Sequence, residues 1–182
     1  MTLRISFDLS ARDLKFFRDA LRQSRSAVSH AEEGEIIEAI HAVLDEIRNS
    51  EPLPDFVSKR IPELESLLRM LSDEEWQLPE SDRERLLATF VYFADPEDIL
   101  PDDIPVIGYL DDVIIIEIVA RELKHVREAY DDFCTFRDEF DRDAGENLDP
   151  AIRRDRIDRR RQQLHQRMQR RSAGQKKSGL WK

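Results

Sequence analysis

Cysteine and glycine are scarce in this chain of 182 residues, which has one cysteine, Cys134, and five glycines. A single cysteine cannot form an internal disulfide or a thiolate metal cluster, so the sequence fits a reducing compartment. Five glycines and eight prolines also exclude the collagen-like and low-complexity classes. We therefore expect a cytoplasmic protein with one folded core.

The chain also has no apolar run long enough to cross a membrane. Its most apolar stretch, residues 104–120, contains Asp111, Asp112 and Glu117, and each carboxylate at mid-membrane would cost about 2.5–3.5 kcal/mol. No basic segment followed by an apolar one opens the chain, so we expect no secretory leader. Nor does the sequence contain a glycine-rich phosphate loop or a nucleophile elbow. A buried core helix is the better account of residues 104–120.

Charge is abundant and unevenly distributed. Charged residues make up 37% of the chain, apolar residues 40%, and the formal net charge is −10, which taken alone argues against nucleic-acid binding. Residues 149–182, the basic tail, hold twelve basic and three acidic residues, a charge of +9. Residues 1–148 hold 17 basic and 36 acidic residues, a charge of −19. The sequence thus predicts an acidic domain over 1–148 and a basic tail over 149–182.

Apolar periodicity predicts an all-α bundle of five or six helices. The clearest stripe lies between Glu32 and Asn49, and Ser10 with Asp13 forms a capping box that opens the helix before it. Further helices are predicted over residues 56–71, where Pro62 kinks or divides the stretch, over 81–91 from Ser81 as cap, and over 109–140 as one long helix. Asp149 and Pro150 predict the start of a tail helix with a narrow apolar seam, followed from residue 172 by disorder.

A different period occurs at the start of the chain. Leu3, Ile5, Phe7 and Leu9 alternate with polar residues, which indicates either a short strand or an extended lead-in whose apolar side chains cover the bundle. A strand would need a partner, so another copy of the chain, as in a homodimer, or a ligand edge would have to supply it.

One segment resembles a known family. The stretch YFADPEDILPDDIPVIGYLDD, residues 92–112, resembles the hallmark of the YkvA-like family, a bacterial helical domain of unknown function. The match is gapless and contains three prolines and the terminal Asp-Asp, while Asp103 stands where the family more often has an apolar residue. The resemblance implies a helical module with a core at about residues 83–140. It implies no established reaction, although the family is sometimes described in membrane-associated proteins.

The aspartates of this segment suggest either a structural corner or a metal site. At about 100° per residue, Asp111 and Asp112 project within roughly 60° of the centre of the long helix's apolar face. They could bind a divalent cation together with Asp98 or Asp102, since hard cations take several oxygen ligands. Alternatively, they accept backbone hydrogen bonds that hold the proline-rich corner in place.

Two Glu-x-x-His pairs, Glu38 with His41 and Glu122 with His125, have the spacing that di-iron bundles use. Helical geometry directs the first pair towards water, and a single inward Glu122 does not make a metal site. We therefore expect no resident cofactor, with a divalent cation at the aspartates as the alternative.

The basic tail permits three interpretations: binding of nucleic-acid phosphates, docking on the protein's own acidic body or that of a second copy, and contact with an anionic membrane surface. Its candidate polyanion-binding residues are Arg153, Arg154, Arg156, Arg159, Arg160, Arg161, Arg167, Arg170 and Arg171. Trp181 could anchor in a protein partner.

We predict a non-enzymatic interaction or regulatory module whose tail contacts a polyanion or a protein partner. The alternatives are a metal-dependent hydrolase that uses the aspartate cluster and a peripheral membrane-associated protein.

Overall fold

The computed structural model describes residues 6, 8–28, 31–49, 55–94, 109–144 and 148–177. All regular structure in these ranges is helical, which confirms the all-α prediction. The helices are α1 Ala11–Val28, α2 Glu33–Asn49, α3 Asp55–Ser58, α4 Ile61–Ser72, α5 Glu80–Phe93, α6 Leu110–Glu122, α7 Lys124–Ala144 and α8 Pro150–Lys177.

The described ranges hold eight helices rather than five or six because two predicted helices are divided. The first division is at the proline-containing stretch, where α3 ends at Ser58 and Pro62 lies in the first turn of α4. A proline is tolerated there because the first N–H groups of a helix have no partner within it. The carbonyl of Arg60 caps the new helix by accepting from the amides of Glu63 and Leu64, both at 3.0 Å.

The second division shows that the prediction of one long helix over residues 109–140 was wrong. Helix α6 ends at Glu122 and α7 begins at Lys124. Leu123 lies between them, and its carbonyl accepts hydrogen bonds from the amides of Val126 and Arg127, both at 2.9 Å. No proline or glycine marks this break, and Leu123 is fully buried, so the apolar periodicity continues across it.

The capping box at the start of α1 is confirmed. The Ser10 amide donates to Asp13 Oδ2 at 2.8 Å, and the Asp13 amide donates to Ser10 Oγ at 3.4 Å. The prediction that Ser81 caps α5 was wrong. That helix begins at Glu80, and the carbonyl of Pro79 accepts its first backbone hydrogen bonds. The predicted N-terminal strand lies outside the described residues except for its last part, where Leu9 belongs to no helix or strand.

The chain divides into two compact units. The first unit comprises residues 1–65 and 84–120, and the second comprises residues 66–83 and 121–182. In the first unit the stripe of α2 is buried, as its spacing predicted, together with apolar side chains of α5 and α6 that include Phe90 and Ile115. In the second unit the buried side chains come from the end of α4, the connection to α5, α7 and α8, with Trp76, Phe133 and Leu164 among them.

Candidate functional site

Two places carry the predicted site residues, and the first is the start of α6 in the first unit. Asp111 and Asp112 occupy the first turn of α6 and are 1% and 2% exposed. The hydroxyl of Tyr92, on α5, donates a hydrogen bond to Asp111 Oδ2 at 3.1 Å. Both side chains are therefore directed inward, as helical geometry predicted, and Asp111 joins α6 to α5.

Acidic side chains are common in the first turn of a helix, because the unpaired N–H groups there attract anions, and Asp111 and Asp112 occupy that turn of α6. A buried carboxylate is costly unless it accepts hydrogen bonds. Tyr92 supplies one such bond, and its ring is itself buried. The hydrogen bond from Tyr92 to Asp111 thus fixes the position of α5 against α6.

A small cavity lies beside Asp112. Its walls are mostly apolar, and its volume of about 10 Å³ is room for about one water molecule. At its edge Arg60 forms ion pairs with Glu117 at 2.7 Å and with Glu63 at 2.9 Å. The lining residues are Leu44, Ile47, Val57, Arg60, Ile61, Leu64, Phe93, Tyr109, Asp112, Val113 and Ile116. This cavity is too small for an organic substrate.

The metal hypothesis involves four aspartates, Asp98, Asp102, Asp111 and Asp112. Asp98 and Asp102 lie outside the described residues. Within the ranges that the structure does describe, no group of three or more His, Cys, Asp or Glu side chains could hold a metal ion. Glu38 and His41 are both exposed on α2, as the helical geometry of their Glu-x-x-His spacing predicted.

The second place is α8, which carries the tail arginines. The predicted helix start is confirmed, because Asp149 Oδ1 accepts from the Ala151 amide at 2.8 Å and Pro150 is the first helical residue. The apolar seam is buried: Ile157, Leu164 and Met168 are between 2% and 3% exposed. Helix α8 is therefore docked on its own unit. Its last helical residue is Lys177, whereas Trp181 lies outside the described residues.

Ion pairs flank this seam along the contact between α7 and α8. Arg153 makes two hydrogen bonds of 2.8 Å to Asp141, Arg167 pairs with Asp132, and Arg171 pairs with Glu128 at 3.0 Å. As residue numbers rise along α8, those of the partners fall along α7, so the two helices are antiparallel. Between these pairs the guanidinium group of Arg160 lies 5.5 Å from the centre of the Phe136 ring.

A turn before α5 provides the other side of the α8 contact. Asp73 Oδ1 accepts from the amides of Glu75 and Trp76, both at 3.0 Å, which closes the turn. Glu75 then pairs with Arg153 through its carboxylate, and its carbonyl accepts from Arg161 at 2.9 Å. Sequence reasoning missed this turn. Its only local signal was an aspartate followed by two glutamates and a tryptophan between two helical patterns.

Trp76 is the centre of the apolar part of the same contact. Its side chain is fully buried. Its ring lies 5.2 Å from that of Phe133, 5.6 Å from that of Tyr130 and, edge-on, 4.6 Å from the imidazole of His165 on α8. Aromatic pairs at such distances add to the free energy of burial.

Electrostatics at this contact favour the charged forms of the ion-paired groups. The hydrogen bonds that Arg153 donates to Asp141 and Glu75 raise the pKa of Arg153 and lower the pKa values of both carboxyls. The pKa of His165 is lowered, first by burial and then by the nearby positive charge of Arg161, while a hydrogen bond to the backbone of Trp76 acts in the opposite direction. His165 is therefore favoured in its neutral form.

The remaining tail arginines lie on the outer face of α8, which we define as Arg154, Arg156, Arg159 and Arg170, all exposed. Arg159 pairs with Asp155 of the same helix at 2.9 Å. The structure thus divides the nine predicted arginines. Five contact groups within the second unit, namely Arg153, Arg160, Arg161, Arg167 and Arg171, and four are directed to solvent.

The fold and its contacts define a helical module with a buried aspartate pair and a docked basic helix. Residues 85–118 match the model of a family described as a protein of unknown function, DUF1232. This segment runs from α5 through the undescribed residues 95–108 into α6 and includes both aspartates. No curated protein and no solved structure matches the chain. Among the described residues, no helix is long and apolar enough to cross a membrane.

Proposed function

We propose that this protein is a non-enzymatic interaction module that binds nucleic acid through the outer face of α8. The observation that carries the proposal is that Arg154, Arg156, Arg159 and Arg170 are exposed on a helix whose apolar seam is buried. At about 100° per residue, Arg156, Arg159 and Arg170 project within about 60° of one another, away from that seam. Docking fixes the backbone beneath these arginines, so binding a phosphate chain does not require the helix to fold first. Guanidinium groups are well suited to phosphate because they donate several hydrogen bonds in one plane.

The YkvA-like resemblance supports the modular part of this proposal. It is consistent with the match to a family of unknown function over residues 85–118, and it implies a helical domain without an established reaction. We place the protein in the cytoplasm, where nucleic acid is accessible and where its single cysteine would stay reduced.

The test is binding of the full-length chain to a fluorescein-labelled 30-base-pair DNA duplex and to single-stranded RNA of the same sequence, across a series of salt concentrations. With about four phosphate contacts, the logarithm of the binding constant for duplex DNA should fall with the logarithm of salt with a slope of about −3.6. The triple variant Arg156→Gln/Arg159→Gln/Arg170→Gln should lose about 2.7 of that slope, because each removed contact removes about 0.9.

The matched control is the triple variant Arg12→Gln/Lys15→Gln/Arg142→Gln, which removes three exposed positive charges from α1 and α7. It should keep the wild-type slope. Equal losses in the two variants would mean that only net charge matters, and would refute a site on α8. Binding to vesicles with anionic headgroups, without binding to either nucleic acid, would contradict the proposal in favour of a membrane surface.

A further inference from the structure

We infer that the carboxylates flanking the α8 seam mask further phosphate-binding arginines, and so set the affinity of the nucleic-acid site proposed above, on which this inference rests. The masked arginines are Arg153, Arg167 and Arg171, and their masking partners on α7 are Asp141, Asp132 and Glu128. A carboxylate and a phosphate oxygen compete for the same guanidinium donors.

The masked arginines are accessible enough to change partner. The side chains of Arg153, Arg167 and Arg171 are 32%, 38% and 50% exposed. Ion pairs with this much exposure contribute little, because water and salt screen them and because two long side chains must be held in place. A nucleic acid on α8 could therefore attract these guanidinium groups away from the α7 carboxylates.

The apolar seam of α8 stays buried when the flanking arginines change partner. Ile157, Leu164 and Met168 are almost completely buried, and Trp76 packs edge-on against His165. Removing these side chains from their contacts would cost far more than exchanging three exposed ion pairs. Helix α8 accordingly stays docked whether or not its flanking arginines are paired, and each arginine that is released adds one guanidinium group to the four of the outer face.

The α7 helix supplies a matched experiment. The unmasking variant Glu128→Gln/Asp132→Asn/Asp141→Asn removes the three α7 carboxylates, which frees Arg167 and Arg171, while Arg153 keeps its pair with Glu75. The control variant Asp131→Asn/Asp138→Asn/Glu139→Gln removes three exposed carboxylates of the same helix, none of which takes part in the ion pairs of the described residues. The two variants have the same net charge and the same numbers of asparagine and glutamine substitutions, so net charge cannot account for a difference between them.

Binding of the labelled DNA duplex is measured for both variants and for the full-length wild type, in a Trp181→Phe background that leaves Trp76 as the only tryptophan. The unmasking variant should bind about tenfold more tightly than the control at low salt, and its salt slope should be steeper by up to about 1.8, for two added phosphate contacts. Trp76 fluorescence should not shift to longer wavelength when DNA binds, because α8 remains docked.

Three results would overturn this inference. Equal affinity and equal slope for the two variants would show that the pairs mask nothing. A shift of Trp76 emission to longer wavelength on DNA binding would show that α8 leaves the body as a whole. Salt-independent binding, or none, in wild type and in both variants would refute the proposed function as well. In the first two cases, a loss of slope on substituting Arg156, Arg159 and Arg170 would leave the proposed function intact. Thermal melts followed by circular dichroism verify that each variant is folded.

Discussion

At the scale of single residues, the hydrogen bond from Tyr92 to Asp111 is a buried polar contact within the first unit. Both side chains are buried, and Asp111 cannot replace a lost donor with bulk water at 1% exposure. The hydrogen bond therefore contributes to the free energy of unfolding of the first unit.

Replacing Tyr92 with phenylalanine should lower the free energy of unfolding by about 1–3 kcal/mol, because a buried carboxylate loses a hydrogen bond while the ring is kept. Urea unfolding followed by circular dichroism measures the change. A double-mutant cycle with Asp111→Asn isolates the coupling between the two side chains. A change within about 0.5 kcal/mol, typical of surface substitutions, would contradict the assigned role.

His165 gives the second unit a dependence on mild acid. Burial and Arg161 lower its pKa in the folded state below its ordinary value near 6.5. The unfolded chain therefore binds the proton more readily, so stability is complete above about pH 6.5 and falls as pH drops towards the folded pKa. Glu75 and Asp141 have lowered pKa values, so the stability they contribute is lost only at lower pH, below the ordinary carboxyl range.

In a Trp181→Phe background, which leaves Trp76 as the only tryptophan, urea unfolding followed by fluorescence at pH 7.5 and pH 5.5 should show a decrease in stability of at most about 1.4 kcal/mol per pH unit when His41 and His165 are both intact. The variant His165→Gln should show a smaller decrease. His41→Gln, which changes an exposed histidine of α2, should behave as wild type. If His165→Gln keeps the full pH dependence, His165 is not its source.

At the scale of helices, α8 is an integral part of its unit. Its seam is narrow, yet all three apolar residues are buried and the arginines beside them contact α7 and the Asp73–Trp76 turn. Stability should thus depend on the seam far more than on the arginines.

The variant Leu164→Ala should lower the free energy of unfolding of the second unit by about 2–5 kcal/mol, the usual cost of truncating a buried leucine. Gln163→Ala, one residue earlier and exposed, serves as control and should change stability by less than about 0.5 kcal/mol. Both are measured by urea unfolding with Trp76 fluorescence in a Trp181→Phe background. Similar small effects of the two substitutions would mean that α8 is held only at its charged edges.

Local sequence features predicted the elements well and their contacts poorly. The capping box at Ser10, the stripe of α2 and the Asp149–Pro150 helix start depend on neighbouring residues, and the structure has all three. The break at Leu123 has no local marker, so periodicity could not show it. The contacts of Asp73 with Tyr130 and Arg137 join residues 57 and 64 positions apart, and no local rule specifies such partners.

The candidate site shows the same limit. Helical geometry predicted that Asp111 and Asp112 lie inward, and their burial agrees. Charge composition suggested that the tail could meet the acidic body, but 36 acidic residues in 1–148 offered too many partners to choose among. The pairs actually formed follow from the antiparallel packing of α7 and α8, which is a tertiary property.

At the scale of the whole molecule, the net charge of −10 divides differently between the two compact units than between residues 1–148 and the basic tail. The first unit holds 10 basic and 22 acidic residues, a charge of −12, and the second holds 19 basic and 17 acidic residues, a charge of +2. The tail's positive charge is thus offset within its own unit. The net negative charge of the first unit would repel a polyanion, whereas the exposed arginines of α8 would attract it.

Removing residues 149–182 should therefore unbalance the second unit. The shortened chain would leave Asp132 and Asp141 without their arginines, would leave Glu75 paired with Arg137 alone, and would uncover Trp76. The comparator ends at Lys177, so that Trp76 is the only tryptophan in both chains. We expect the chain that ends at residue 148 to show Trp76 emission at longer wavelength and to bind a hydrophobic dye.

The effect of salt concentration distinguishes charge repulsion from lost apolar burial as causes of the lower stability of the shortened chain. Raising the salt concentration screens repulsion among the uncovered carboxylates, whose interactions fall off over about 10 Å at 0.1 M. It does not replace the three buried side chains of the seam, each of which contributes about 1.5–3 kcal/mol. Stability of the shortened chain should thus recover only in part at high salt. Unchanged Trp76 emission in low salt would show that the body folds without α8, and full recovery at high salt would show that α8 acts through charge alone.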